Sequence, residues 1–406
     1  MLDLLRRLGN KDALLVAGML LASLLPLVLA PVRAQILGPT GRGEFAYFQS
    51  AITIIYAVSA LGVRHAVYQK REIGAARFLT SKKPVFAVAL AASLTSAALL
   101  AVLAGEGFNP WIDVIILIIG CFGPIYALTQ LEIGNAQLGR YRRRIAITAG
   151  GPAVVEFAAG MVLLAIRQFN LGTVVAGTML AELLRNSAGV FVYVRDRRQM
   201  GISNTNGTES GMPLLRASLL AAPAVLVPIL ASNLDSIIYG AMLGPATLGM
   251  YAVAKLGFTL LVLASLTAEG YVVSRWASRR PLQFLVRFVL IGLPIAAFVS
   301  TLGFVLFPFF FGSAFEEARR AFPLAVGAGM CGAVFVSCLS IAAFNNRQKP
   351  AVVAATFSMA ALSLGAIGIG LIGRPGPSEM CLVLMVAQIV GVVLIAFRMA
   401  PTLDKG

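Results

Sequence analysis

Long apolar stretches separated by short polar segments recur along the whole chain. A transmembrane helix needs about 20 predominantly apolar residues to cross the hydrocarbon core of a bilayer. Stretches of this length predict twelve membrane-spanning helices. We number them as spans 1 to 12: Ala13–Gln35, Glu44–Tyr68, Pro84–Ala104, Ile112–Leu131, Ile145–Ile166, Gly172–Val194, Ala217–Met242, Leu248–Val273, Phe284–Phe311, Ala321–Phe344, Ala351–Ile372 and Met380–Phe397.

One polar tract divides the twelve spans into two sets of six. The tract ISNTNGTESG is typical of a flexible linker, and it follows span 6. We therefore predict an N-terminal six-helix lobe over residues 1–200, a cytoplasmic linker over 201–212 and a C-terminal six-helix lobe over 213–406. Because each lobe has an even number of spans, both lobes enter the membrane from the same side. This arrangement predicts a parallel internal repeat.

A short phrase occurs at equivalent places in the two halves. ILGPTGRGEFAYF begins at Ile36 and MLGPATLGMYAVA begins at Met242, so a shift of 206 residues aligns the two Leu-Gly-Pro sequences. Glycine and proline favour a tight turn between two spans, where the backbone must leave the bilayer quickly. Turn residues at topologically equivalent places favour a true repeat over a chance match between apolar helices.

Proline pairs lie in the first span of each predicted lobe. Pro26 and Pro31 in span 1 are five residues apart, as are Pro223 and Pro228 in span 7. Each proline removes a backbone hydrogen bond and kinks its helix. We interpret these four residues as candidate hinges, and the simple tolerance of proline in transmembrane helices as the alternative.

Composition and charge agree with a multi-pass membrane protein. The chain has 406 residues, of which 59% are hydrophobic and 12% charged, and its mean hydropathy is +0.87. Basic residues concentrate in alternate loops, which predicts cytoplasmic N- and C-termini. The net charge of +16 is therefore mainly a topological signal, and it indicates anionic lipid head groups rather than nucleic acid as a partner. The opposite loops carry only Arg42, Arg167, Arg319, Arg320 and Arg374.

Several ionisable residues lie within predicted spans, where a charge costs about 3 kcal/mol or more. Asp235 in span 7 and Lys255 in span 8 lie at similar depth and are predicted to pair, either as a structural ion pair or as a switch. Glu182 and Arg185 share one face of span 6, which favours a local pair. Glu156 in span 5 has no partner nearby in sequence, so it is the first candidate for a coupling site.

Basic residues near the ends of the spans suggest an anionic substrate. Arg33 lies near the outer end of span 1, and Arg64 lies near the inner end of span 2. Arginine holds phosphate oxygens in a bidentate manner, and lysine acts as a point charge. Together with Lys255 and Arg185, they predict a cavity for a phosphate-bearing substrate. Side chains that anchor the span ends by reaching to the interface explain Arg33 and Arg64 nearly as well.

The phrases LGPTGRGEFAYF, NLDSIIYGAMLGPATLGMYAVA and GNAQLGRYRR resemble the multidrug/oligosaccharidyl-lipid/polysaccharide (MOP) exporter superfamily, and within it the Wzx-type polysaccharide and O-antigen flippases. The resemblance implies an all-α, V-shaped, MATE-like fold with two six-helix lobes, and a cavity lined by spans 1, 2, 7 and 8. It places Glu44 where related lipid II flippases carry a functional acid, and Arg64 and Lys255 near places where those relatives use cations. Those relatives have fourteen spans, whereas this chain has twelve predicted spans.

The same resemblance implies a function and a location. It predicts a flippase that moves undecaprenyl-pyrophosphate-linked oligosaccharide from the cytoplasmic to the periplasmic leaflet of the bacterial inner membrane. No cofactor is expected, and H⁺, Na⁺ or the membrane potential would drive transport. Other polysaccharide-assembly proteins are the expected protein partners.

Two alternatives compete with this hypothesis. A cation-coupled multidrug antiporter of the same superfamily would have the same fold, but its cavity should be richer in acids and aromatic residues. A membrane polysaccharide polymerase or glycosyltransferase would need a large extramembrane loop or a convergent set of acids and bases. The predicted outer loops are short and the single histidine is His65, so the sequence indicates a transporter rather than an enzyme.

Overall fold

The computed structural model describes residues 10–63, 82–138, 142–199, 212–263, 281–344, 348–373 and 375–403. Within these ranges the chain is helical and contains no β-strand. Arg64 and most of the predicted linker lie outside the described residues. The long helices are α1 Asn10–Ala60, α2 Lys82–Ala104, α3 Pro110–Cys121, α4 Gly123–Leu138, α5 Arg142–Ala165, α6 Leu171–Gln199, α7 Met212–Ala254, α8 Pro281–Phe311, α9 Glu316–Phe344, α10 Gln348–Ile372 and α11 Pro377–Leu403.

The described helices confirm an all-α, multi-pass membrane protein. Helices α3 and α4 meet at a bend of 50° and form one further span if Pro110–Cys121 and Gly123–Gln130 are counted together. Six single helical segments of the described chain are long and apolar enough to cross a bilayer. They are Pro84–Ala104, Ile229–Ala254, Val286–Phe311, Ser313–Leu339, Lys349–Leu371 and Pro377–Phe397.

The repeated phrase forms the same turn in both halves. Within α1, the backbone leaves helical geometry at Gly38, with φ 65° and ψ −177°. Within α7, it does so at Gly244, with φ 80° and ψ 174°. Positive φ favours glycine because a Cβ would clash there, and the proline that follows is well suited to the first turn of the next helix. The tight turn predicted from the sequence is confirmed in both copies.

Contacts along the chain divide it into two compact units. The first unit consists of Met1–Leu29, Ala51–Val102 and Pro110–Leu226, and the second consists of Ala30–Ser50, Leu103–Asn109 and Val227–Gly406. The second unit therefore contains both copies of the repeated phrase. The lobe boundaries drawn from the polar tract remain a prediction.

In the first unit, small residues bring α2 close to α3 and α4. The Ser93 hydroxyl donates to the carbonyl of Gly120 at 2.7 Å. A Cβ on Gly120 would stand 2.8 Å from the Cβ of Ala97, so only glycine fits between these helices. Leu61, Ala89 and Ala127 form a buried cluster in the same unit.

In the second unit, α9 packs against α10 and α11 through buried apolar side chains. Phe335, Ile341 and Ile395 belong to one core cluster, each at most 3% exposed. Helix α8, in contrast, exposes its apolar side chains: Leu290, Ile291 and other large apolar residues along it are exposed. An exposed apolar surface of this kind is the expected lipid-facing surface of a membrane helix.

Candidate functional site

The second unit holds a buried ion pair at the predicted position. Asp235 on α7 is 0% exposed, and Lys255 directly follows the end of α7. The Nζ of Lys255 lies 2.8 Å from Oδ1 and 2.6 Å from Oδ2 of Asp235. It also donates to the carbonyl oxygen of Ser232 at 2.8 Å. The pairing of Asp235 with Lys255 predicted from the sequence is confirmed.

Further donors complete the environment of the Asp235 carboxylate. The backbone N–H of Ser236 donates to Oδ1 at 2.7 Å, and the hydroxyl of Tyr251 donates to Oδ2. The Tyr251 ring packs edge-on against Tyr239, whose hydroxyl donates to the carbonyl of Met380 on α11 at 3.4 Å. A buried carboxylate with a cation and two hydrogen-bond donors has its hydrogen-bonding capacity satisfied.

The first unit holds a second ion pair, which also has the predicted partners. Glu182 and Arg185 on α6 form a salt bridge one helical turn apart. The Arg185 guanidinium lies 5.1 Å from the ring centre of Tyr126 and 5.7 Å from that of Tyr56. These two rings are stacked, with centroids 4.4 Å apart. The predicted local pair is confirmed, and the stacked tyrosines provide a cation–π surface that the sequence did not reveal.

Glu156 finds its partner on the neighbouring helix. The hydroxyl of Thr178 on α6 donates to Oε1 of Glu156 on α5 at 3.2 Å. Thr178 precedes Glu182 by four residues, so it lies on the same face of α6. The structure therefore brings Glu156, Glu182 and Arg185 to the same side of α6. Sequence reasoning missed Thr178 because a serine or threonine within a span carries no signal of its partner.

Glu44 lies just after the Gly38 turn and is half-buried. Its Oε1 accepts the backbone N–H of Asn109 at 3.2 Å. The next turn of α1 is fixed to the same segment, because the Tyr47 and Phe108 rings lie 4.6 Å apart. The described contact of Glu44 is thus a tether to residues 103–109 rather than an ion pair.

Arg33 is buried in the second unit together with Arg42, which the sequence predicts to lie in a loop. Arg33 is 4% exposed and Arg42 is 6% exposed. Both guanidinium groups lie over the ring of Phe45, at 4.8 Å and 5.7 Å from its centre. The sequence predicts Arg42 to be one of the few basic residues of the opposite loops, because a turn is expected to be solvated.

The proline pairs lie within helical segments. Pro26 and Pro31 belong to α1, and Pro223 and Pro228 belong to α7. The non-helical backbone of these two helices is at the glycines of the repeated phrase, downstream of the prolines. The hinge role of the prolines remains a prediction.

The described residues contain no group of three or more His, Cys, Asp or Glu side chains that could hold a metal ion. The four cysteines, all within the described residues, form no disulfide, and Cys338 and Cys381 are buried.

No protein-family model and no curated protein sequence matches the chain. Solved structures match it over nearly its full length. The chain is similar to an inward-facing multidrug resistance MATE family transporter of the MOP superfamily, with TM-score 0.58, 14% identity, and coverage of 98% of this chain and 96% of that chain. It is also similar to the lipid II flippase MurJ in an inward closed conformation, with TM-score 0.65, 14% identity, and coverage of 92% and 87%.

A third similar structure is a MOP superfamily transporter from Pyrococcus furiosus, which is described as having a binding pocket of reverse polarity. Its TM-score is 0.56 at 16% identity, and the match covers 100% of this chain and 98% of that chain. These likenesses confirm the predicted fold class, which is that of MATE and MurJ transporters of the MOP superfamily.

Proposed function

We propose that the protein is a flippase that moves polyprenyl-pyrophosphate-linked oligosaccharide, of the Wzx type, from the cytoplasmic to the periplasmic leaflet of a bacterial inner membrane by alternating access. One observation carries this proposal: two acids within the predicted spans, Asp235 and Glu182, are already paired with cations. Lys255 holds Asp235, and Arg185 holds Glu182. A cationic drug needs an acid that can receive it, whereas a pyrophosphate needs cations. The buried Arg33 is a further cation, and it also favours an anionic substrate over a cationic one.

The proposal gives the basic residues the task of binding. Arg33, Lys255 and Arg185, together with Arg64, would receive the pyrophosphate oxygens. Arginine suits this task because its planar guanidinium donates two parallel hydrogen bonds to a phosphate. The lipid tail stays in the bilayer, so the protein binds only the polar part of the substrate.

The acids would couple substrate binding to the driving ion. When a pyrophosphate binds Lys255, Asp235 loses its cation within a buried environment, and this uncompensated charge would link substrate binding to the driving ion. Glu44, Glu156 and Glu182 are the further candidates for coupling or gating, and the four prolines are the candidate hinges. H⁺, Na⁺ or the membrane potential would supply the energy.

The experiment is a flipping assay with the full chain in liposomes. A fluorescent polyprenyl-pyrophosphate oligosaccharide is placed in both leaflets, and an added glycosidase digests only the outer glycans. With wild-type protein, the protected inner fraction should fall with time, and Arg33→Gln should slow this loss. Arg320→Gln is the matched control, because Arg320 is an exposed arginine of the same unit.

Two outcomes would overturn the proposal. One is a protected fraction that stays the same as in protein-free liposomes. The other is efflux of a cationic dye driven by an ion gradient without any glycan movement, which would instead indicate a multidrug antiporter. Depletion of the protein in its host gives an independent test, because a blocked flip should leave full-length lipid-linked glycan inaccessible from the periplasm.

A further inference from the structure

Arg42 is a buried cation that the proposed function does not use. It follows the Gly38 turn and is 6% exposed. Its Nε and Nη1 atoms are shielded from solvent and have no hydrogen-bond partner among the described residues. An arginine that is nine-tenths buried, with two donors left open, carries a substantial desolvation cost unless something accepts from it.

A second positive charge lies beside it. Arg33 and Arg42 both contact the ring of Phe45, so one aromatic face carries two guanidinium groups. Burial, and after it the charge of Arg33, lowers the pKa of Arg42 to about 9, so the guanidinium is still charged at neutral pH. Two like charges in a buried place repel each other unless an anion lies near both.

The second copy of the repeat shows that the turn does not require these charges. A shift of 206 residues takes Arg33 to Tyr239, Arg42 to Leu248 and Phe45 to Tyr251. Tyr239 and Tyr251 pack ring against ring, with centroids 5.0 Å apart, and Leu248 is 0% exposed. The same backbone arrangement is thus completed by uncharged side chains in one copy and by two arginines in the other.

We propose that Arg42 and Arg33 form a buried oxyanion site over Phe45, which binds a phosphate group. Guanidinium groups offer five N–H donors each in a planar array, and phosphate oxygens accept from such an array in a bidentate manner. A bound phosphate supplies acceptors for the open donors of Arg42 and reduces the repulsion between the two cations. Arg33 is also a pyrophosphate ligand in the proposed function; the further site adds Arg42, and its phosphate need not be transported.

The phosphate can come from a lipid head group or from solution, and the test separates the two sources. The full chain is delipidated in a maltoside detergent, which contains no phosphate, and its melting temperature (Tm) is measured. One arm adds inorganic phosphate, and the other adds phosphatidylglycerol in mixed micelles. Sodium chloride at matched ionic strength accounts for charge screening.

A phosphate that binds only the folded protein should raise the Tm of the wild type. A rise with inorganic phosphate assigns the site to a free oxyanion, and a rise with phosphatidylglycerol alone assigns it to a lipid head group. Arg42→Leu installs the side chain that the second copy of the repeat has at this place. It should fold, keep its Tm without phosphate or increase it, and lose at least about tenfold in apparent phosphate affinity, which is the effect of losing one charged hydrogen bond.

Arg42→Lys keeps the charge and should retain part of the Tm rise. Arg319→Gln is the matched control, because Arg319 also lies over an aromatic ring, Phe304, but has Glu316 as its ion partner. It should respond to phosphate as the wild type does. The proposal is overturned if neither arm raises the Tm of the wild type, or if Arg42→Leu responds as strongly as the wild type. The titration contains no lipid-linked glycan and is read on Arg42→Leu, whereas the flipping assay is read on Arg33→Gln, so a failure of one proposal is distinguishable from a failure of the other.

Discussion

Gly43 and Pro245 are in backbone contact, although they lie in different copies of the repeated phrase. A Cβ on Gly43 would overlap the carbonyl oxygen of Pro245 and stand 2.8 Å from the nitrogen of Gly249. The reciprocal contact is also present, because a Cβ on Gly249 would overlap the carbonyl oxygen of Pro39 and stand 2.9 Å from the nitrogen of Gly43. Since the repeat aligns Gly43 with Gly249 and Pro39 with Pro245, the two turns pack on each other symmetrically.

Replacing Gly43 or Gly249 with alanine should therefore destabilise the protein. The added methyl group meets backbone atoms, which cannot rotate away as a side chain can, so we expect a loss of about 3 kcal/mol in the free energy of unfolding. Thermal unfolding in detergent measures the effect. Gly368→Ala is the control, because a Cβ there meets no atom within 4 Å. An equal loss of stability in all three variants would contradict the close contact between the turns.

The buried pair of Asp235 and Lys255 should show strong coupling. Lys255→Met leaves a buried carboxylate without its cation, which should cost about 3–5 kcal/mol, whereas the double variant with Asp235→Asn should be more stable than Lys255→Met alone. A double-mutant cycle on unfolding free energies measures the coupling. Tyr251→Phe is the milder comparison, since it removes one hydrogen bond and should cost about 1 kcal/mol. Additive single effects would contradict a direct buried pair.

Variants of Glu44 can distinguish a structural role of this residue from a role in ion coupling. Glu44→Gln keeps a side-chain oxygen for the N–H of Asn109 and should leave the Tm nearly unchanged, whereas Glu44→Ala should lower the free energy of unfolding by about 1 kcal/mol. If Glu44 takes part in coupling, Glu44→Gln should also slow flipping while the Tm is kept. Normal flipping by Glu44→Gln would assign the residue to the tether alone.

The sequence contains enough information to predict the features that depend on local pattern. The six single apolar spans of the described residues follow from hydropathy, and the turn at Gly38 and Gly244 follows from the repeated Gly-Pro pair. The pair of Asp235 and Lys255 was predictable because the number of residues between each of them and the same turn places both side chains at a similar depth in the membrane.

Contacts between helices that are distant in sequence could not be predicted in this way. The stacked Tyr56 and Tyr126 rings and the bond from Thr178 to Glu156 depend on which helix faces meet, and apolar helices without a polar face leave that undetermined. The burial of Arg42 was missed for a related reason. Its place in a turn indicated solvent, whereas the packing of the two turns against each other encloses the residues around them.

Arg185 offers a test of whether its charge or its planar shape matters. Arg185→Lys keeps a cation for Glu182 but cannot cover the stacked Tyr126 and Tyr56 rings as a guanidinium plane does. We expect Arg185→Lys to lose about 0.5–1 kcal/mol in the free energy of unfolding, and Arg185→Gln to lose more because Glu182 is then left without its cation. If Arg185 binds pyrophosphate, flipping should decrease in the order wild type, Lys, Gln, and Arg320→Gln should flip as the wild type does. A glutamine variant that loses stability but flips normally would limit Arg185 to a structural role, because the pyrophosphate would then not need a cation at this position.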